Sequence, residues 1–263
     1  MPEDEMERVR DRFARCFEHE WETGIAPDEV NYQPGVTPPD RTRQLCNGWK
    51  ADRTVAATTL SARNAEFAAG LTGEPGMRIF IDNMIWKPAG ARALLAHQDN
   101  AYVDCFSPVN TTTCWIALDD THADTGTIYY ARGSHLWGQA AAGGQFHAPD
   151  DWQGYMRETA PPERVADVEW VPIEVPAGGA AFHHGWTWHG SPPSERHDRE
   201  RRAIISHMLT TRTTWDPVNT HPMYSRYRRP GEVELDEAFF PVMWREDGYR
   251  TPLIDETFAT AVA

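Results

Sequence analysis

Residues 93–99 read Ala93-Leu94-Leu95-Ala96-His97-Gln98-Asp99, an apolar run that ends in a histidine and an aspartate two positions apart. Four apolar residues can seat as a buried strand, and at strand spacing residues i and i+2 share a face. An imidazole and a carboxylate are thereby offered together at the inner end of a buried element. With a second histidine from elsewhere they make a two-histidine, one-carboxylate set, the donor set of non-haem Fe(II) oxygenases, which leaves coordination positions open. The pattern is short, and a chain with eleven histidines holds about one His-x-Asp by chance. A second copy, His122-Ala123-Asp124, lies in Asp119–Gly126, a run of turn formers between two apolar segments. Ligands on such a tip are solvated and poorly held, so His97 and Asp99 are the expected pair.

Outward from this stretch, short β-rich segments separated by turns begin at Met77. The expected strands are 77–86, 93–97, 112–118, 126–131, 168–175, 179–183, 186–189 and 202–210. That spacing suits a double-sheet barrel or sandwich rather than a βαβ repeat. Before it, Met6, Val9, Phe13, Phe17 and Trp21 recur at helical intervals and predict an amphipathic helix over 3–22, ended by Gly24 and Pro27. A second helix is expected within 56–69, broken by Gly70, Gly73, Pro75 and Gly76. Residues 138–167, rich in Ala, Gly, Pro and Asp, predict an irregular insertion with a little helix. Without an internal repeat or a long linker, 1–263 reads as one domain. Its core is about 77–210, between a helical region 1–76 and a segment 211–263 that wraps the barrel or covers its mouth.

Composition narrows the function classes. The 263 residues carry 25 basic and 39 acidic side chains, a net charge of −14, which phosphate backbones would repel. A nucleic-acid partner is therefore not expected. No apolar run is long enough to span a membrane, and the start, Met1-Pro2-Glu3-Asp4-Glu5, is acidic where a secretory signal is basic. A soluble cytoplasmic protein is expected. Cys16, Cys46, Cys105 and Cys114 form no Cys-x-x-Cys pair and read as small buried residues. Eleven tryptophans stand out, since indole faces line pockets for bulky ligands as well as cores.

A third metal ligand is expected from a late strand. The stretch Ala180-Ala181-Phe182-His183-His184-Gly185-Trp186-Thr187-Trp188-His189-Gly190-Ser191 holds three histidines. His189 shares alternation parity with His183, which reads as a support or core residue, whereas His184 points the other way. Arg201-Arg202 follows, and successive strand residues face opposite sides, so at most one of the two reaches the interior. An interior guanidinium could hold a dicarboxylate by a bidentate fork.

Taken in order, these pieces resemble the phytanoyl-CoA dioxygenase-like family of Fe(II)/2-oxoglutarate oxygenases. Lys87-Pro88 precedes His97-Gln98-Asp99; Trp115, Gly126, Gly133-Ser134-His135 and Trp137 follow. Pro176-Ala177-Gly178-Gly179, Phe182-His183, His189-Gly190-Ser191 and Arg201 close the series, which covers about 77–210. The resemblance implies a mainly β fold with flanking helices, a double-stranded β-helix of the jelly-roll, cupin-like type. It implies iron on His97, Asp99 and His189, and 2-oxoglutarate chelating that iron while its distal carboxylate pairs with Arg201, helped by Ser191 and flanked by Trp115. Reaction with O2 then gives succinate and CO2 and removes a hydrogen atom from the substrate. A carboxylate at Asp99 disfavours halogenation, because halogenating relatives carry Gly or Ala there.

Two departures from the family pattern stand out. Arg132 occupies a usual proline position and is expected to contact substrate; Pro192-Pro193-Ser194 stands where Asn is common. Trp86, Trp186 and Trp188 are expected to line the substrate pocket with Trp115. The acidic, Trp-rich character resembles the natural-product tailoring members, including the orthosomycin oxygenases that close orthoester rings between sugars. The expected substrate is a polar small molecule, such as an oligosaccharide or aminocyclitol, that is hydroxylated or oxidatively cyclised. Rivals on the same donors are a cupin-type dioxygenase or isomerase without 2-oxoglutarate, a non-catalytic binding protein and a zinc hydrolase. Arg201 after His189 argues against the cupin, a zinc hydrolase would leave Arg201 and Ser191 without a task, and a non-catalytic protein would usually have lost one of the three metal ligands, all of which are present.

Overall fold

The computed structural model describes residues 2–258. Thirteen strands occur among them. The first six are β1 (Glu29–Val30), β2 (Arg43–Cys46), β3 (Gly76–Lys87), β4 (Leu94–His97), β5 (Phe106–Ser107) and β6 (Thr111–Ala117). They are followed by β7 (Tyr129–Ala131), β8 (Trp170–Pro172), β9 (Ala180–His184) and β10 (His189–Ser191). β11 (Arg201–Thr210), β12 (Thr214–Trp215) and β13 (Val242–Arg245) complete the set. A large antiparallel sheet runs β1-β2-β3-β11-β6-β9, with β13 also pairing β3, and a smaller one runs β4-β10-β7-β8. Two facing antiparallel sheets with short flanking helices are the expected jelly roll.

Alternation along the central strands positions everything else. Asn83, Ile85 and Lys87 on β3, Trp115 on β6, and Arg201, Ile205 and His207 on β11 turn to the interior between the sheets. Their neighbours Leu45, Met84 and Ile204 turn outward and are sealed by Val9, Phe13 and Phe17 of α1 (Glu3–Phe17). α1 stops before the expected end because Glu18 caps it and His19 adopts φ 62°. Trp21 then folds back onto the same cluster. The expected second helix is two: α2 (Arg53–Thr59), capped by Asp52, and α3 (Ala62–Thr72), capped by the Ser61 hydroxyl. Two capping side chains satisfy exposed backbone N–H groups at separate starts, which helical periodicity alone does not reveal.

The expected strand over 186–189 is instead a turn followed by β10. At Gly185 the chain leaves the large sheet for the small one, and a side chain there would collide with Thr111 and Asn100. The insertion contributes α4 (Gly154–Thr159) and α5 (Pro162–Val165). After β12, Tyr224, Leu235 and Phe240 pack on Phe80, Phe106 and Trp215, and the chain ends in α6 (Pro252–Phe258). Among the described residues no helix is long and apolar enough to cross a membrane.

Candidate metal centre

β4 and β10 pair so that His97 lies directly opposite His189, and the chain leaving β4 turns immediately into the short helix that begins at Asp99. The His97 Nε2 and His189 Nε2 atoms each lie 3.4 Å from Asp99 Oδ1, and all three donors fall within 4.8 Å of one another. Donors about 2.1 Å from one ion at right angles would be about 3.0 Å apart, so a small inward movement completes such a set. Both imidazoles are prepared in the same way. His97 Nδ1 lies 2.8 Å from the Leu95 carbonyl and His189 Nδ1 lies 2.9 Å from that of Thr187. A backbone carbonyl can only accept, so each ring carries its proton on Nδ1 and turns an Nε2 lone pair to the centre.

Asp99 is held from behind. Its Oδ2 accepts from the Thr113 hydroxyl at 2.7 Å and from His183 Nε2 at 3.0 Å, leaving Oδ1 for the metal. Burial alone would raise this carboxyl, but the neighbouring His189 and His207 imidazoles and the donated hydrogen bonds hold it well below the usual carboxylate range. Burial pulls His183 down to about 3, so the ring is neutral; its Nδ1 accepts from the Tyr130 hydroxyl at 3.0 Å. His183 thus supports Asp99, and His184 faces away, half-buried beside His135. His122 and Asp124 stay outside the cluster: Asp124 pairs with Arg196 and His122 is exposed.

Deeper in the same cavity lie Trp115, Ser191 and Arg201. Arg201 is 2% exposed; its Nη2 donates to Gly126 O at 2.9 Å and Ser191 Oγ at 3.2 Å, while its Nε has no partner. The guanidinium lies 5.6 Å from the Trp115 ring centre. Arg202 points outward and is gripped by Asp119. Sequence reasoning gave no role to Lys87, which is fully buried directly opposite Arg201 across β3 and β11. Its Nζ donates to Ser191 Oγ at 2.7 Å and to Pro192 O. Burial pushes Lys87 well below an ordinary lysine, with Arg201 adding to the effect, and burial brings Arg201 down to about 10. Neither has an ion-pair partner among the described residues. Like charges directly opposite on paired strands repel, and buried cations need an anion. The pair therefore fits the distal carboxylate of a diacid whose other end reaches the metal donors. Gly126 makes room for it: a Cβ there would sit 2.8 Å from Lys87 Nζ.

The residues expected to touch substrate are not brought to this cavity. Arg132 is exposed and pairs with Glu169 at 2.7 Å, because β7 ends at Ala131 and the next residue points to solvent. Trp86 faces outward under Phe13 and Phe17 and donates to Glu200. Trp188 is core beside Ala96, Met156 and Ala160, and Trp186 sits in the turn after β9, where its carbonyl accepts from Gln98. A second chamber of about 360 Å³ opens from the metal donors instead. Phe80, Tyr102, Phe146 and Tyr224 line it, with Glu29, Gln44 and Asn83 among its polar groups and, among the described residues, no lysine or arginine. The sequence signal for this wall was the inward parity of Gln44 on β2 and Asn83 on β3.

Three comparisons bear on this geometry. The family model described as phytanoyl-CoA dioxygenase matches residues 1–203. The mouse phytanoyl-CoA dioxygenase domain-containing protein 1 is 27% identical over 124 residues, 47% of this chain and 42% of that protein. The match thus spans less than half of that relative. Among solved structures, the non-heme alpha-ketoglutarate-dependent carbocyclase SnoK from nogalamycin biosynthesis superposes with a TM-score of 0.69 at 21% identity, over 92% of this chain and 88% of that one. The epimerase SnoN of the same biosynthesis gives 0.66 at 19% identity, over 92% and 90%. EctD from S. alaskensis, solved with bound Fe, gives 0.64 at 14%, over 90% and 80%. At these identities the likeness establishes a shared fold.

Proposed function

The chain belongs to the phytanoyl-CoA dioxygenase family of Fe(II)/2-oxoglutarate-dependent oxygenases, and from that premise we propose that it oxidises a polar, ring-bearing natural product at a C–H bond. Hydroxylation or an oxidative ring closure of the orthoester type would be the outcome, with succinate and CO2 released. His97 Nε2, Asp99 Oδ1 and His189 Nε2 would hold the iron, and Lys87, Arg201 and Ser191 would hold the distal carboxylate of 2-oxoglutarate against Trp115. Bound iron and 2-oxoglutarate would supply the activation of O2 that removes the hydrogen atom.

The observation that carries this reading is that buried Arg201 lines the cavity of the three convergent metal donors with buried Lys87 directly opposite it on β3, and neither has a counter-ion among the described residues. A zinc hydrolase or a cupin without a diacid co-substrate has no use for two buried cations. The outer chamber supports the substrate class. Aromatic rings cover one face of a flat ring, while Gln44, Asn83 and the Glu29 carboxylate offer polar contacts. A lining without lysine or arginine favours neutral or amine-bearing compounds over coenzyme A thioesters, whose phosphates need cations.

Anaerobic reconstitution with Fe(II) and 2-oxoglutarate tests it, followed by a screen for compounds that stimulate succinate release on admitting air. Oligosaccharides, aminocyclitols and glycosylated polyketides should stimulate release. Stimulation by acyl thioesters alone would overturn the substrate class, and no succinate under any condition would overturn the activity.

A further inference from the structure

A chain of hydrogen bonds joins the wall of the outer chamber to the back of the metal-binding carboxylate. Gln44 Nε2 donates to Asn83 Oδ1 at 3.1 Å, and the Cys46 thiol approaches the same oxygen at 3.1 Å. With its oxygen so engaged, Asn83 turns its amide nitrogen to His207 Nε2 at 2.9 Å. An amide nitrogen only donates, so His207 Nε2 must accept and the ring carries its proton on Nδ1. That Nδ1 lies 2.9 Å from the Thr113 hydroxyl oxygen, which accepts and in turn donates to Asp99 Oδ2 at 2.7 Å, and 3.3 Å from Asp99 Oδ2 itself. Each link fixes the direction of the next, and all four point toward Asp99.

Register makes the alignment durable. His207 on β11 lies opposite Thr113 on β6, and Thr113 lies opposite His183 on β9, so three side chains in one row of the sheet face Asp99. His183 is fixed independently through Tyr130. The far end of the chain, Asn83, borders both the metal cavity and the outer chamber, and its second N–H has no protein partner among the described residues.

We propose that Asn83 is a positioning residue: through His207 and Thr113 it fixes the hydroxyl that occupies Asp99 Oδ2 and so reserves Oδ1 for the metal. The inference rests on the metal-site reading above. Without the Asn83 donor, His207 is free to move its proton to Nε2. Its Nδ1 then competes for the Thr113 hydroxyl, and Asp99 loses a fixed partner. Losing such a partner costs metal sites about ten- to hundred-fold in affinity.

The test uses Co(II) alone, without substrate or O2, titrated by its visible d–d absorption into the wild type, Asn83→Leu, Thr113→Val and the double variant. Asn83→Leu should weaken Co(II) about ten- to hundred-fold. In the Thr113→Val background it should add less than about two-fold, because residues in one network are not additive. Multiplying losses, or an unchanged affinity in Asn83→Leu, would overturn the proposal. Should Asn83→Leu fail to fold, the wild type decides: nitrogen-15 NMR of its metal-free histidines should show His207 protonated on Nδ1, and an Nε2 proton overturns the relay. A wild type that binds no Co(II) would instead overturn the metal-site reading, which keeps the two failures apart.

Discussion

Replacing Lys87 by methionine should leave the stability of the metal-free protein nearly unchanged while sharply weakening its hold on the diacid. Lys87 is completely buried, faces Arg201 across the sheet and has only Ser191 Oγ and Pro192 O to satisfy its ammonium group. Exchanging a buried charge for an apolar side chain of similar shape is often stabilising by about 1–4 kcal/mol. Losing the two hydrogen bonds, at about 1 kcal/mol each, offsets much of this, leaving a net change of about −1 to +2 kcal/mol for the metal-free protein. At this chain length each kcal/mol raises the melting temperature by about 2–4 °C. The bound state responds far more strongly. A carboxylate gripped by two buried cations that loses one gives up about 2–5 kcal/mol, so 2-oxoglutarate should bind about thirty- to several-thousand-fold more weakly. Thermal melts with Mn(II), with and without 2-oxoglutarate, read both effects together. At one hundred times its Kd the diacid adds about 2.7 kcal/mol to the wild type, and at the same concentration it should add only about 0–0.9 kcal/mol to Lys87→Met. A variant that melts below the wild type yet keeps the full ligand shift would refute the cation-pair argument.

Proton uptake is a second expectation. Burial lowers Lys87 in the ligand-free protein, and a bound carboxylate raises it again, so binding should take up protons wherever the free lysine is neutral. Affinity should therefore fall as pH rises through the lowered pKa, and titration heats should differ between buffers of unlike ionisation enthalpy; equal heats would count against it. Without ligand the sign reverses: a lysine depressed below its unfolded value of 10.5 penalises the fold at low pH, and the penalty fades as pH rises through the depressed value, a trend Lys87→Met should lack. Gly126→Ala should raise the KM for 2-oxoglutarate and lower the melting temperature, because φ is +63° and the new methyl meets Lys87 Nζ, Pro192 O and Ser194 N. Arg132→Ala should leave turnover within two-fold, about 0.4 kcal/mol, whereas Trp188→Ala should cost about 3–5 kcal/mol of stability and leave substrate preference intact.

Much of this was legible in the chain, for identifiable reasons. The apolar run before His97, the turn formers around His122 and the alternation of Arg201 and Arg202 are local features, and local physics decides them. The turn at Gly185 was not legible, because alternation does not register a chain crossing between sheets. The two-residue strands β1, β5 and β12 exist only through their partners. The tryptophans misled because an indole fills core as readily as it lines a pocket: Trp188 packs on Ala96 and Met156, and Trp86 packs under α1. Lys87 lies one residue beyond the expected strand 77–86, and only because β3 runs on to include it does its parity with Asn83 and Ile85 turn it inward. What sequence could not supply was that Arg201 stands opposite it, since that pairing joins residues 114 positions apart.

The most direct measurement is a crystal grown with Mn(II) and 2-oxoglutarate, read by anomalous diffraction. A single manganese should stand about 2.2 Å from His97 Nε2, Asp99 Oδ1 and His189 Nε2, with the distal carboxylate between Lys87 Nζ and the Arg201 guanidinium. Manganese bound by other residues, or a diacid whose far end rests away from Lys87 and Arg201, would contradict the account at its root.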